Sequence, residues 1–398
     1  MFFTVKKEDV IDGIQKAAGI IASNRTGATA LRSIWLKAHD NLLTIMATDT
    51  NIEFTGNYPA EVKEEGLTGV NGRSLVDLVR RLPSGELRIG LEKTPYKENS
   101  LIENSSSEAS ILVIEQGRRT YKLPANDSTW FQKFSEFSET DSVVWSGDFL
   151  QETIDRVFFC INDDDSTDAL ACLYIKPCGN GIIEACGLNG HQFALTKFTH
   201  DDLCSLLPPD GILIQRKNVS ELRKWLGENE ILLSIKAKRL YIRSSNGQEM
   251  LSLPREGYLY PDYSAFMKRL EISDVTKLVL NRKEALEALD RIAIFNTEQD
   301  RGVYFELSAN EASLSAQGPE TGSAHETIGI SCEGPITRIV FPTRNLMEIL
   351  SHYQSEEILL TLTGTEGPCG ITGKNDNNYT VIIMPMKVSE EVYYSDDE

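Results

Sequence analysis

Four aspartates, Asp163, Asp164, Asp165 and Asp168, form the densest group of potential metal ligands in the chain. Carboxylates are the ligands that Mg²⁺ and Ca²⁺ prefer, and a metal ion held here could activate water for hydrolysis. The spacing lacks the glycine and the distal glutamate of an EF-hand loop. We therefore interpret the segment as an exposed, solvated loop, and keep a metal-dependent hydrolase as the alternative.

A second group contains four potential zinc ligands, Cys172, Cys178, Cys186 and His191. Zinc sites usually pair cysteines two to four residues apart. Here Cys172 and Cys186 fall in strand patterns, where cysteine behaves as a small hydrophobe. The five histidines show no nucleophile–base arrangement. We predict no metal site and no catalytic set in this part of the chain.

A glycine-rich stretch, GTEGPCGITGK over 364–374, has the general character of a phosphate-binding loop. The P-loop requires glycine where Pro368 stands, and serine or threonine where Asn375 stands. The stretch therefore predicts two flexible turns around a strand. With no catalytic arrangement in any of the three groups, we predict a protein that is not an enzyme and uses no cofactor.

The strongest pattern in the chain is a threefold repeat. It reads RSLVDLVRRLPSGELRIGL from Arg73, KNVSELRKWLGENEILLSI from Lys217 and RNLMEILSHYQSEEILLTL from Arg344. A basic residue opens each copy, apolar residues follow at helical spacing, and alternating apolar residues close it. Each copy thus predicts a short helix, a turn and a strand. A period of about 130 residues is too long for a solenoid and indicates three copies of a whole domain.

Each copy also has a second helical pattern upstream, and the third of these begins with Asn281 and Glu284 in the spacing of a capping box. Two strands joined by a tight turn follow each upstream helix, and closing strands are predicted at 118–125, 249–256 and 379–388. The fold class is therefore α+β, with two helices packed on a mostly antiparallel sheet in each copy. The predicted domains are 1–134, 135–268 and 269–388, followed by an acidic, disordered tail at 389–398.

The composition indicates a soluble protein in a reducing compartment. The net charge is −19, from 59 acidic against 40 basic residues, which taken alone argues against a simple nucleic-acid binder. Seven cysteines, an odd number without a CxxC pair, favour reduced thiols in a cytosol. We find no signal peptide and no apolar stretch long enough to span a membrane.

Basic residues gather at the repeated helices despite the acidic average. Arg73, Arg80 and Arg81 lie on the predicted helix of the first copy, and Lys217 and Arg223 lie on that of the second. Acidic residues share these helices, so an ordinary solvated face is one interpretation. Three equivalent domains that align their helices favour the other interpretation, a cationic lining.

Several segments resemble the bacterial DNA polymerase III β subunit family, the sliding clamps, and together they span nearly the whole chain. The segments are KKEDVIDGIQKAAGII, ATDTNIEF, RSLVDLVRRLP, GLNGHQFAL, PDY and VIIMPMKV. The resemblance implies a head-to-tail homodimer that closes into a ring, with helices lining the centre and sheets outside. It implies a processivity factor that encircles duplex DNA, tethers the replicative polymerase and catalyses nothing itself.

The resemblance also implies the site residues. The DNA-binding residues would be Arg25, Arg73, Arg81, Arg216, Lys217 and Arg223. The partner-peptide pocket would comprise Leu170, Leu188, Gly190, His191, Phe193, Pro261, Phe266, Ile382, Met384, Pro385 and Met386. The dimer interface would include Tyr121, Leu123, Ile294 and Phe295. Many family members have arginine where Gln192 stands, threonine where Leu188 stands and a basic residue where Ala265 stands, so this pocket is less cationic.

The implied partners are double-stranded DNA bound without sequence preference, a second copy of the chain, the replicative polymerase α subunit, the clamp loader and other proteins with a clamp-binding motif, but no membrane. The implied location is the bacterial cytoplasm, at the nucleoid during replication. A scaffold that binds only proteins is the remaining alternative. The tail at 389–398 is expected to be inert, although it could compete with partners for the pocket.

Overall fold

The computed structural model describes residues 1–21, 29–94, 109–163, 168–227, 229–236, 238–272, 274–298 and 300–387. Within these ranges the chain forms 25 strands, eight α-helices and four short 3-10 helices. Every strand pair in them is antiparallel. The predicted α+β class with antiparallel sheets is confirmed.

The α-helices are α1 (Lys7–Ile20), α2 (Gly72–Arg81), α3 (Gly147–Phe158), α4 (Asp201–Leu206), α5 (Arg216–Trp225), α6 (Ser264–Arg269), α7 (Arg282–Ile292) and α8 (Thr343–Ser351). The 3-10 helices are Thr29–Arg32, Ser128–Trp130, Ala169–Ala171 and Ala293–Phe295.

The first compact unit contains Met1–Gln151 and Lys217–Glu256. Its strands are β1 (Phe2–Lys6), β2 (Ser33–His39), β3 (Leu42–Thr48), β4 (Glu53–Pro59), β5 (Glu61–Glu64), β6 (Gly66–Asn71), β7 (Glu86–Thr94), β8 (Ala109–Gln116), β9 (Arg119–Asn126), β10 (Ser142–Ser146), β15 (Glu230–Ile235), β16 (Arg239–Ser244) and β17 (Glu249–Pro254). They form one sheet in the order β10-β15-β16-β17-β4-β3-β2-β6-β9-β8-β7-β1-β5.

The second compact unit contains Glu152–Arg216 and the described residues from Gly257 onward. Its strands are β11 (Cys172–Gly179), β12 (Ile182–Leu188), β13 (Gln192–Thr199), β14 (Ile212–Gln215), β18 (Thr276–Asn281), β19 (Gly302–Leu307), β20 (Glu311–Gly318), β21 (Gly322–Glu333), β22 (Arg338–Pro342), β23 (Glu357–Leu362), β24 (Cys369–Gly373) and β25 (Tyr379–Ile383). They form one sheet in the order β14-β11-β12-β13-β25-β24-β23-β18-β21-β20-β19-β22.

The threefold helix–turn–strand repeat is present as α2–β7, α5–β15 and α8–β23. In α2 the side chain of Asn71 accepts a hydrogen bond from the Ser74 backbone N–H at 3.0 Å, which caps the first turn. Leu75 and Val79 are buried one turn apart, as the apolar spacing predicts. The helix ends at Arg81, two residues before Pro83, because proline cannot continue it.

The predicted cap of α7 is half confirmed. The Asn281 side chain accepts a hydrogen bond from the Glu284 N–H at 3.0 Å, as a capping box requires. The reciprocal bond is replaced, because the Glu284 carboxylate accepts instead from the Gly329 N–H at 3.4 Å. The cap of this helix therefore also connects it to β21.

The strands of the middle repeat divide between the two sheets. β10 and β15–β17 join the first sheet, where β17 pairs with β4. β11–β14 join the second sheet, where β13 pairs with β25. The division of the chain into the three domains 1–134, 135–268 and 269–388 remains a prediction, because the chain groups into the two compact units described above.

The third closing strand is shorter than predicted, since β25 ends at Ile383 rather than near residue 388. Pro385 has no N–H to donate to a strand ladder, so regular pairing stops there. Residues 384–387 continue without strand structure, and the predicted tail at 389–398 lies outside the described residues. All seven cysteines are free. No helix among the described residues has the length and apolar character needed to cross a membrane.

Candidate functional site

Two predicted DNA-binding cations lie on α2 in the first unit. Arg73 is exposed in the first turn of the helix, and Arg81 is exposed at its last residue. The Arg81 guanidinium donates to the backbone oxygen of Asp77 at 2.8 Å and lies 3.5 Å from the Asp77 carboxylate. A cation at the C-terminal end of a helix is stabilised by the helix dipole. Arg81 therefore stabilises its own helix, whereas Arg73 lies at the N-terminal end, where the helix dipole disfavours a cation.

Three further predicted cations lie on α5. Lys217 is exposed, and Arg223 is half-buried. Arg216 belongs to the second unit, where its guanidinium donates to the carbonyl oxygens of Phe158, at 3.0 Å, and Ile161. The same group lies 4.4 Å from the centre of the Phe158 ring. Arg216 thus donates to backbone carbonyls at Phe158, the last residue of α3, and at Ile161 beyond it, and its DNA-binding role remains a prediction. Arg25 lies outside the described residues.

One position of the repeat is chemically distinct. Arg73, Lys217 and Arg344 each occupy the second residue of their helix, α2, α5 and α8 respectively, and all three are exposed. Among the described residues, none of these side chains has an ion-pair or hydrogen-bond partner. The helix dipole repels a cation at this end, so these residues do not stabilise their own helices. A cation at the N-terminal end of a helix, where the dipole also favours negative charge, suits an anion such as phosphate.

Several other cations of the repeated helices are already paired. The pairs are Lys16 with Asp12 at 2.7 Å and with Glu249 at 2.8 Å, Arg156 with Glu152 at 2.8 Å, Lys224 with Glu221 at 2.7 Å, and Arg291 with Glu326 at 2.8 Å. Their charge is largely balanced within the chain. The predicted DNA-binding set omitted Arg344, although the repeat aligns it with Arg73 and Lys217. The repeat is therefore the signal that identifies it.

Four predicted pocket residues meet in one apolar cluster in the second unit: Leu188, Phe193, Phe266 and Ile382. The register of β12, β13 and β25 places Leu188 and Ile382 on either side of Phe193. The Phe266 ring packs edge-on against Phe193, with ring centres 5.6 Å apart. Tyr263 belongs to the same cluster, with its ring centre 4.9 Å from that of Phe193. The predicted pocket set omitted Tyr263, although the PDY segment contains it.

The remaining predicted pocket residues are near members of this cluster in the chain or make backbone hydrogen bonds near them. The Met384 N–H donates to the His191 carbonyl oxygen at 2.9 Å, and the Met386 N–H donates to the Val340 oxygen at 2.8 Å. Met384 is 36% exposed. Gly190 has a φ of +87°, which favours glycine at this turn. Three residues complete the set: Leu170 and Pro385 are half-buried and Pro261 is exposed.

A buried carboxylate borders the apolar cluster. Glu184 on β12 lies opposite Lys176 on β11 and Lys197 on β13. Its carboxylate is 2.8 Å from the Lys197 Nζ and 3.4 Å from the Lys176 Nζ, and the Tyr263 hydroxyl donates to it. Burial alone would raise the pKa of Glu184, but the bonds from Lys197 and Tyr263 and both positive charges outweigh it and lower the pKa to about 2.

We expect Glu184→Gln to make unfolding depend less on pH. The folded pKa is depressed, so the stabilisation by Glu184 is fully present above its ordinary pKa of 4.5 and is lost as pH falls towards about 2. At neutral pH the variant should lose at most about 3 kcal/mol. Urea denaturation at pH 7 and pH 3 measures this. An equal difference between variant and wild type at both pH values would contradict it.

The predicted dimer residues belong to two different units. Ile294, in the 3-10 helix Ala293–Phe295, is 71% exposed, and Phe295 is half-buried. Tyr121 and Leu123 are half-buried on β9. One edge of β9 pairs with β8 along its length, and within the described strands the other edge pairs only at Ala125 and Asn126, with β6.

β21 has a similar open edge. Residues 322–329 pair with β20 on one side, and β18 pairs only with residues 330–333 on the other side. Within the described strands, residues 322–328 of β21 and most of β9 therefore each have one edge without a strand partner, and the Gly329 N–H that follows donates to Glu284. Such edges invite pairing with another strand.

Some of the potential metal ligands have another structural role. Cys172 and Cys186 are buried in the apolar cluster, as predicted, and Asp168 caps the 3-10 helix Ala169–Ala171. Asp164 and Asp165 lie outside the described residues. Lys374, at the end of the glycine-rich stretch, pairs with Glu357 at 2.6 Å.

One exposed group of potential ligands was not predicted, namely His39, Asp40 and Glu65. The two ring nitrogens of His39 lie 3.1 Å and 2.8 Å from the carboxylates of Asp40 and Glu65. These contacts account for the grouping without an ion.

Two family models match the chain and together cover more than half of it. They are the DNA polymerase III beta subunit N-terminal domain, at residues 1–125, and the C-terminal domain of the same subunit, at residues 273–387. Curated relatives named "Beta sliding clamp" include those of Pseudomonas putida, 25% identical over 98% of this chain and 100% of the relative, and Staphylococcus epidermidis, 24% identical over 97% of this chain and 99% of the relative.

Solved structures share the fold. The DNA polymerase sliding clamps of Pseudomonas aeruginosa and Bacillus subtilis superpose with TM-scores of 0.83 and 0.84, each at 21% identity over 98% of this chain and 100% of the other. The chain therefore has the fold of these sliding clamps. The chain belongs to the DNA polymerase III beta subunit family. This confirms the predicted family, its sliding-clamp function and its non-catalytic character.

Proposed function

We propose that two copies of this chain close into a ring around duplex DNA and hold it by sequence-independent phosphate contacts. The threefold set of exposed cations at helix N-termini, Arg73, Lys217 and Arg344, is the observation that carries this proposal. Phosphates recur along every duplex whatever its sequence. Contacts of similar strength at each register let a ring translate along DNA with small barriers.

The acidic average of the chain supports the same mechanism. A ring that cannot leave the duplex sideways needs little affinity, and the net charge of −19 disfavours non-specific association with other DNA. A few unpaired cations at repeated positions are then sufficient. Excess positive charge would strengthen phosphate contacts and slow sliding.

The open strand edges support closure of the ring. Pairing of β9 in one copy with β21 in the next would satisfy the backbone groups that both strands leave unpaired. The exposed Ile294 supplies apolar surface for the same contact. Because the contact joins two different strands, β9 of one copy and β21 of the next, it is head-to-tail. Two copies then form a closed ring if a two-fold rotation relates them.

The apolar cluster supports recruitment of partner peptides. Its aromatic residues Phe193 and Phe266 and the exposed Met384 suit an apolar peptide segment, and methionine adapts to varied partners. The P. aeruginosa clamp has been crystallised with griselimycin bound, and we propose the same ligand for this chain. The proposed partners are the replicative polymerase α subunit, the clamp loader and other proteins with a clamp-binding motif, in a bacterial cytoplasm.

Retention on DNA of different topology tests the ring. The protein, loaded by the clamp loader of the same organism, should remain on nicked circular DNA and leave the same DNA quickly after it is cut to a linear form. Gel filtration of labelled protein with each DNA measures the difference. Equal loss from both forms would refute encirclement. A chain that binds partners but cannot be loaded would instead indicate a protein-only scaffold.

We expect replacement of the three cations by glutamine, in the variant Arg73→Gln, Lys217→Gln and Arg344→Gln, to weaken direct binding to duplex DNA. Each lost phosphate contact should reduce the slope of log affinity against log salt by about 0.9. Fluorescence anisotropy over a salt series measures the slope.

A control variant with Lys63, Lys133 and Lys374 replaced by glutamine removes the same charge from residues that are paired with acids. This control should retain the wild-type slope. Equal reductions in both variants would show that net charge, rather than these three positions, governs binding.

A further inference from the structure

We propose that Glu184 is a positioning residue for the partner pocket, because it fixes Tyr263 and thereby the chain segment that carries Phe266. The inference rests on the proposed recruitment of peptides at the apolar cluster. It assigns to a carboxylate outside the predicted pocket the role of holding one wall of that pocket in place.

The segment that forms this wall has little backbone support. Residues 257–263 form neither helix nor strand, and α6, which follows, has only six residues. Side chains therefore hold the segment against the sheet. Tyr260 stacks on Tyr174 with ring centres 4.5 Å apart, and Tyr263 packs on Phe193.

Tyr263 is the residue of this segment that has both a directional polar contact and an apolar one. Its hydroxyl donates to the Glu184 carboxylate, and the Lys176 Nζ lies 4.6 Å from the centre of its ring. The same ring packs against Phe193, which in turn contacts Phe266. Glu184 orients the Tyr263 ring, and this ring packs against Phe193. Glu184 thus helps to position the residues proposed to bind the peptide.

The charge arrangement explains why Glu184 can be held in this place. A buried carboxylate is costly unless it is paired and hydrogen-bonded. The strand register supplies a lysine on each neighbouring strand, and Tyr263 supplies the third contact. Tyr263→Phe removes the donor of this bond, and Glu184→Gln replaces its charged acceptor by a neutral amide oxygen, so the two changes act on the same bond.

Hydrogen exchange and partner affinity together test the proposal on the full-length protein. The variants are Tyr263→Phe, which keeps the ring, Glu184→Gln, and the double variant. We expect faster amide exchange in residues 260–270 of each. Binding of purified polymerase α subunit should be about tenfold weaker in Tyr263→Phe, as for a lost hydrogen bond to a charged group, and should be weakened less in Glu184→Gln, whose amide oxygen still accepts from the hydroxyl. The double variant should bind about as weakly as the weaker single variant. Surface plasmon resonance measures the affinity.

Glu357→Gln is the matched control. It removes a carboxylate paired with Lys374 in the second unit, and it should leave exchange in 260–270 and affinity unchanged. Faster exchange throughout β12 and β13 in Tyr263→Phe would indicate general destabilisation and overturn the positioning role.

The positioning role would also be overturned if Tyr263→Phe and Glu184→Gln both bound with wild-type affinity while a variant of Met384 lost binding. The proposed pocket itself would then stand. If the wild-type protein itself fails to bind the α subunit, the recruitment proposal fails. The exchange measurement then still decides whether Glu184 positions the segment.

Discussion

The variant Ile294→Asp is expected to be monomeric under conditions in which the wild-type protein is a dimer. Ile294 is 71% exposed in the single chain and precedes Phe295, another residue of the predicted interface. A carboxylate in its place would be buried without a partner on association, which costs several kcal/mol. We expect the dissociation constant to rise at least about 1,000-fold, which corresponds to about 4 kcal/mol. Size-exclusion chromatography with light scattering measures the mass.

Ile272→Asp is the matched control for this prediction. Ile272 is 55% exposed in the same unit and lies outside the predicted interface. Its variant should remain dimeric and should stay on nicked circular DNA, whereas Ile294→Asp should be lost from circular and linear DNA alike. A dimeric Ile294→Asp protein would place the dimer contact elsewhere on the chain. A monomeric wild-type protein at micromolar concentration would exclude the ring itself.

Replacement of both Met384 and Met386 by alanine is expected to abolish most partner binding while leaving the dimer intact. Each methionine side chain contributes about 1.5–3 kcal/mol when fully buried. Both follow β25, whose Ile382 belongs to the apolar cluster. Partial burial of both against a peptide should then give a loss of affinity of roughly 100-fold. Calorimetric titration with polymerase α subunit or with griselimycin measures the loss.

Ile182→Ala provides the control for the pocket. Ile182 is 38% exposed, close to the 36% of Met384, but it begins β12, whereas Leu188 of the cluster ends that strand. Its variant should bind partners like the wild type. Unchanged affinity of the methionine variant for both ligands would remove the proposed pocket, and a change of mass on light scattering would show that its effect is not local.

The repeat predicted local structure closely because its signals are local. Apolar spacing, a cap at Asn71 and a proline at Pro83 specify α2 within a few neighbouring residues, and the apolar spacing recurs at α5 and α8. Short-range packing and capping depend on residues three or four apart, so one sequence window contains all the information. The early end of β25 shows the limit of such local signals, because the apolar run continues after the strand has ended.

The candidate sites were predictable only in part. Phe193, Phe266 and Ile382 lie together as the family resemblance implied. The equivalence of Arg344 with Arg73 and Lys217 was visible in the repeat. The contact of Arg216 with the carbonyls of Phe158 and Ile161 was not visible, because it joins residues 55 and 58 positions apart. Glu184 gave no signal either, since its importance comes from the strands on each side of it.

The amino-acid sequence by itself determined the α+β class, the helix–turn–strand unit and its threefold occurrence, because these follow from periodicity and capping within short windows. The tertiary structure alone decided how the middle repeat divides its strands between two sheets, which cations are neutralised and which remain exposed, and how a buried carboxylate orients Tyr263. Each of these depends on the register between strands far apart in the chain. Register is set by the packing of a whole sheet face.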